Sequence, residues 1–146
     1  MSKKPRLWIS RYLSSSTMDK AKESYEIYLP KVDKPASKEE MIRLSSEVDA
    51  FLICHSEMID SDLAQQLKPR LKIIANHSVG VDHCDLEALN SKGIVVTNTP
   101  DVLSDATAEI SMLLLLGAAR RAVEAQKIVR EGRWDSWSPS FMVGKQ

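Results

Sequence analysis

Apolar residues in this chain gather in short runs, separated by longer stretches in which they recur every three or four positions. The runs at 6–10, 25–29, 50–54, 71–75 and 94–97 have strand length and are bounded by polar or turn-forming residues. Between them lie helix signals. Thr17 is placed to cap a helix running to Ser24, and Ser37 with Glu40 has the spacing of a capping box ahead of Met41, Ile42 and Leu44. Ser61 is expected to cap the next helix, with Leu63 and Leu67 on one face. Asp85 opens a short helix that should end near Gly93. Strand and helix alternating in this way predict an α/β fold, a flavodoxin-like open parallel sheet.

After Pro100 the pattern changes. Residues 104–131 contain no proline and only Gly117, so a single helix on the order of 40 Å long is expected. Positions 110–119 are apolar almost all round, which does not suit the surface of a lone small domain. Arg120, Arg121, Glu124, Lys127 and Arg130 make the second half wet on one side, and Gly132 is placed to stop the helix. The tail, 133–146, carries Trp134, Trp137 and Phe141 in an irregular segment, and such large aromatics need a surface to pack on. The expected division is a sheet domain at 1–100 and a helix and tail at 101–146.

Composition narrows the class. A chain of 146 residues has the size of one domain with a real core. Its twenty basic and twenty acidic residues cancel, so no overall field favours nucleic acid or a membrane surface. Cys54 and Cys84 are too few for a disulfide framework or a zinc site, and no metal centre is expected. No apolar run approaches the roughly 18 residues of a membrane span, and a cytoplasmic location is the expectation.

Candidate chemistry concentrates in two loops. In Ser78-Val79-Gly80-Val81 a glycine just past a strand lets a ligand approach the backbone, and successive N–H groups there can cradle an anion. The opening of the later helix, Ser104-Asp105-Ala106-Thr107, offers free N–H groups, with Ser104 or Asp105 read as a plain cap. Asn98-Thr99-Pro100 marks a crossing point between units, because proline forces its predecessor out of helical geometry. His55 and Ser56 follow a strand and lie at its ligand end; His77 and His83 flank the glycine loop. Asp82 and Asp85 read as turn and cap residues, and Ser14-Ser15-Ser16 as a loop near the same crevice.

The stretch LKIIANHSVGVDHCDLEALNSKGIVVTNTPDVLSDATAE, residues 71–109, resembles the substrate domain of the NAD(P)-dependent D-2-hydroxyacid dehydrogenases, the phosphoglycerate dehydrogenase and glyoxylate/hydroxypyruvate reductase group. The resemblance implies that Val79 and Gly80 hold a substrate carboxylate through main-chain N–H groups. It places Ser78 near the nicotinamide end of the cofactor, in reach of both substrate and cofactor, and Thr107 beside NAD or NADP. His55 and Ser56 remain candidate substrate contacts. The family's catalytic Arg, Glu and His fall beyond Gln146, so no catalytic residue is assigned here. Its G-x-G-x-x-G motif follows a pair like Gly144-Lys145, so 101–146 would belong to the nucleotide-binding (Rossmann) domain. The expectation is the N-terminal part of such an enzyme, inactive alone, acting on a small 2-oxo or 2-hydroxy acid and forming a homodimer through 113–116 or the tryptophans. The competing reading is a non-catalytic binding or dimerisation module.

Overall fold

The computed structural model describes residues 3–138, so Phe141, Gly144 and Lys145 lie outside the described residues. The chain divides into two compact units, Met1–Asp101 and Val102–Gln146.

The first unit is a five-stranded parallel sheet built from β1 (Arg6–Ile9), β2 (Glu26–Tyr28), β3 (Ala50–Ile53), β4 (Ile73–Asn76) and β5 (Val95–Thr97), in the order β2-β1-β3-β4-β5. That is the flavodoxin-like order, with its switch point between β1 and β3. Helices α1 (Ser15–Ser24), α2 (Lys38–Ser45), α3 (Ser61–Gln66) and α4 (Leu86–Ser91) connect the strands. Side chains alternate across the sheet. Trp8, Phe51, Ile53 and Ile74 point into one core with Met41 and Leu44 of α2, Leu63 of α3 and Leu89 of α4. Leu7, Ile9 and Ala50 point the other way, against Leu13 and Met18 beside α1. Trp8 meets Phe51 edge to face, ring centroids 4.9 Å apart, in register across β1 and β3.

Caps fix where the helices begin. Ser37 accepts from the Glu40 N–H at 3.2 Å and Asp85 from the Ala88 N–H at 2.9 Å, both as the sequence predicts. Two others shift. Ser14, not Thr17, caps α1, with the Thr17 N–H donating to it, so Ser15 and Ser16 are helical rather than loop. Asp60 replaces Ser61 as the cap of α3, accepting from the Leu63 N–H at 2.9 Å. Asp60 is also held by Lys38 at 2.5 Å, which selects it over its neighbour. Helix α4 ends as a Schellman turn: Gly93 sits at φ +71, its N–H donates to Asn90 O, and the Ile94 N–H reaches back to Leu89 O.

In the second unit the expected single helix is two, α5 (Ser104–Ala119) and α6 (Ala122–Arg130). The break is at Arg121, which adopts left-handed geometry (φ 50, ψ 45). Such a backbone costs a non-glycine residue roughly 1–2 kcal/mol. What accompanies it is tertiary: the Arg120 guanidinium stacks 5.6 Å from the Trp137 ring centroid, and Arg121 donates to Ser138 O while pairing with Glu124 at 3.2 Å. Gly117, the only glycine in the stretch, stays inside α5. Neither Ser104 nor Asp105 caps α5; Leu103 takes the cap position without a side-chain bond. None of α5's residues is buried. No helix of the described residues is long and apolar enough to cross a membrane.

Candidate functional site

At a switch point the loops leaving two neighbouring strands diverge and open a crevice at their carboxyl ends. Here that crevice is a cleft of about 630 Å³. Arg11 and Tyr12 line it after β1, Cys54, His55 and Ser56 after β3, and His77 after β4; Asp33 and Pro35 come from the loop after β2. The β1 wall is therefore Arg11 to Leu13, not the serines at 14–16. Arg11 pairs with Asp33 at 3.0 Å, so the one guanidinium in the cleft is offset by a carboxylate. Cys54 Sγ lies 3.8 Å from His77 Nδ1. Burial, with the Glu57 charge behind it, raises the Cys54 thiol above its ordinary value, which opposes a thiolate nucleophile at this contact.

Directly beneath the cleft, Glu57 is completely buried. A buried carboxylate needs donors, and it has three. Ser10 Oγ and the Cys54 N–H donate to Oε2 at 2.8 and 3.0 Å, and Ser56 Oγ donates to Oε1 at 3.1 Å. Glu57 thus ties the end of β1 to the end of β3 at the switch point and fixes the direction of the Ser56 hydroxyl.

The glycine loop follows β4. Its four carbonyls are all taken by protein donors: Ser78 O by the Thr99 N–H at 3.0 Å, Val79 O by Asn98 Nδ2 at 2.8 Å, Gly80 O by Ser78 Oγ at 2.7 Å, and Val81 O by the Cys84 N–H at 2.8 Å. Among the described residues no acceptor takes the N–H of Val79 or Gly80. Gly80 does not have positive φ, and the nearest atoms a Cβ built on it would meet belong to the Asp82 carboxylate, the closest at 3.1 Å. Backbone conformation therefore does not require glycine here.

Asn76, at the end of β4, anchors the loop from behind. Its Nδ2 donates to Thr97 O at 3.0 Å, so its Oδ1 faces His83 Nε2 at 2.7 Å, and His83 must carry its proton on Nε2. Burial lowers the His83 imidazole below its ordinary value, against the opposing pull of Asp82. Burial also pushes the Cys84 thiol, against Asn76 Oδ1, up to about 11.

The structure thus brings His55 and Ser56 into one cleft and places Ser78, Val79 and Gly80 on the loop that continues from its His77 wall. Thr107 belongs to the second unit, in the first turn of α5, where its hydroxyl donates to Leu103 O at 2.9 Å. No cluster of three metal-binding side chains occurs among the described residues. Sequence reading missed Arg11, Asp33 and Glu57. Arg11 was findable, since it follows a strand as His55 does. Glu57 was not, because its partner Ser10 is 47 residues away.

Comparison with known proteins agrees with the fold. Residues 8–132 match the family model described as D-isomer specific 2-hydroxyacid dehydrogenase, catalytic domain. The chain is 40% identical, over its whole length, to a glycerate dehydrogenase of Hyphomicrobium methylovorum, of which it covers 45%. It is 38% identical over 97% of its length to a glyoxylate reductase of Korarchaeum cryptofilum, covering 42% of that protein. Among solved structures, an NADPH-dependent glyoxylate/hydroxypyruvate reductase of Sinorhizobium meliloti, in complex with NADP and malonate, superposes with a TM-score of 0.77 at 27% identity, over 98% of this chain and 44% of the other. The chain spans less than half the length of the relatives it matches.

Proposed function

Because the chain belongs to the D-isomer specific 2-hydroxyacid dehydrogenase family, we propose that it is the substrate-holding part of an NAD(P)-dependent enzyme that interconverts a small 2-oxo acid and its D-2-hydroxy acid. The observation that carries this reading is the glycine loop. Its carbonyls are all bonded to protein donors, while among the described residues no acceptor takes the Val79 or Gly80 N–H. Two such N–H groups suit a carboxylate, and a charge-assisted bond to each is stronger than a neutral one.

A nicotinamide cofactor, when bound, would supply hydride chemistry for the reduction, and Ser78 and Thr107 are the residues here that would lie toward it. Of the glycines in the described residues, Gly93 and Gly132 lie at helix ends and Gly117 lies inside α5. The described residues therefore supply no glycine-rich cradle for a dinucleotide pyrophosphate, and the proposed part of this chain is on the substrate side. Val79 and Gly80 hold the carboxylate, Ser78 lies at the start of the same loop, and Ser56 and His55 line the cleft where the remainder of the acid lodges. Thr107 is proposed to lie at the cofactor side. Leu113 to Leu116 on the exposed face of α5, with Trp134 and Trp137, are proposed to form a homodimer contact.

The test is oxidation of NADH or NADPH by the intact gene product with glyoxylate and hydroxypyruvate, followed by chiral analysis of the product. The expected result is D-glycerate from hydroxypyruvate. No turnover with any small 2-oxo acid, or an L-product, contradicts the reading.

A further inference from the structure

A trans peptide unit is planar, so its C=O and the N–H of the next residue point in opposite directions. Fixing one carbonyl therefore aims the following N–H. In the glycine loop the first three carbonyl bonds have such a consequence. The Thr99 N–H on Ser78 O aims the Val79 N–H, Asn98 Nδ2 on Val79 O aims the Gly80 N–H, and Ser78 Oγ on Gly80 O aims the Val81 N–H. Two of these three donors come from the crossing segment that follows β5, immediately before the boundary of the first unit at Asp101. Only one is a side chain outside the loop.

We propose that Asn98 is a positioning residue: through its amide on Val79 O it sets the direction of the Gly80 N–H and so the strength of the carboxylate site. This rests on the reading that Val79 and Gly80 bind a carboxylate. Asn98 is exposed and outside the sheet, so its side chain is not needed to fill a core. The segment is anchored independently: Asn76 Nδ2 holds Thr97 O at 3.0 Å and the Thr99 N–H holds Ser78 O. Loss of the Asn98 amide therefore frees one peptide unit, Val79–Gly80, and leaves the Ser78–Val79 unit in place. Asn98→Asp has nearly the same shape but puts an acceptor against an acceptor, so it should do at least as much harm as Asn98→Ala.

The experiment titrates the purified, ¹⁵N-labelled chain with oxalate, a small dicarboxylate, and follows the Val79 and Gly80 amide resonances together with a melting curve. In the natural sequence both resonances should move. In Asn98→Ala the affinity should fall roughly three- to tenfold, as for loss of one neutral hydrogen bond. The Gly80 response should shrink more than the Val79 response, with the melting temperature nearly unchanged. Unchanged affinity in both Asn98→Ala and Asn98→Asp would overturn the proposal while leaving the carboxylate site standing. Weakened binding with a large drop in melting temperature would also overturn it, by making Asn98 a structural residue. If neither amide responds in the natural sequence, the carboxylate reading fails and this proposal with it.

Discussion

The Ser56 hydroxyl donates to the buried Glu57 carboxylate at 3.1 Å, which leaves its oxygen lone pairs to face the cleft. A serine committed in this way acts as an acceptor toward a ligand. It should therefore favour a substrate that carries a hydroxyl donor beyond the keto group over one that does not. In the intact gene product, Ser56→Ala is expected to lower kcat/KM for hydroxypyruvate by roughly three- to tenfold, with little change for glyoxylate. Equal losses on both substrates would show that Ser56 makes no such distinction.

Glu57→Leu tests the same network from below. The carboxylate accepts from Ser10, Cys54 and Ser56, and an apolar side chain in its place leaves the Cys54 N–H, which cannot rotate away as a hydroxyl can, without that acceptor. An unsatisfied buried group costs about 1–3 kcal/mol, and urea denaturation of the chain should show a loss in that range. A stability equal to that of the natural sequence would mean that Glu57 is not held as described.

The pH dependence has a definite sign on each side. His83 titrates below its ordinary value in the folded protein, so its contribution is present above the unfolded value of about 6.5 and is lost as pH falls through the folded one. Cys84 is raised to about 11, so its contribution is present below the unfolded value and lost as pH rises through the folded one. An NMR titration should find His83 as the Nε2–H tautomer with a depressed pKa, and native Cys84 should resist alkylation at neutral pH. A His83 pKa at or above about 6.5 would contradict the buried Asn76 contact.

Helix α5 leaves Leu113 and Leu114 64% and 65% exposed, and Trp134 is 92% exposed. Burying each large apolar side chain contributes roughly 1.5–3 kcal/mol, so a second copy is the expected cover. Sedimentation should show a dimer that Leu114→Glu weakens. A stable monomer at micromolar concentration would remove this face from consideration as a dimer contact.

How much of this was legible in the sequence follows from the range of each interaction. The five strands, the Ser37 and Asp85 caps and the Gly93 stop depend on neighbours within a few positions, and local patterning places them within a residue or two. Asp60 and Ser61 are both good caps, and the pairing with Lys38, 22 residues away, is invisible to local pattern. The α5–α6 break has no glycine or proline to mark it; it goes with Arg120 and Arg121 reaching Trp137 and Ser138. At the site, the glycine loop after β4 was legible as a candidate because its composition is local. The donors that orient its carbonyls, Asn98 and Thr99, are some twenty positions on.

The central claim is that the Val79–Gly80 backbone binds the substrate carboxylate, and Gly80→Ala in the intact gene product tests it most directly. Gly80 does not have positive φ, and the atoms nearest its added Cβ belong to the exposed-loop Asp82 side chain, the closest at 3.1 Å, so stability should change by less than about 1 kcal/mol. A methyl group beside the N–H donors should disturb a hydrogen bond to a charged group, worth roughly 1.5–3 kcal/mol, and raise KM for glyoxylate by about ten- to a hundredfold. The account predicts that rise with an almost unchanged melting curve. An unchanged KM with a large fall in melting temperature would contradict it and make the loop a plain turn.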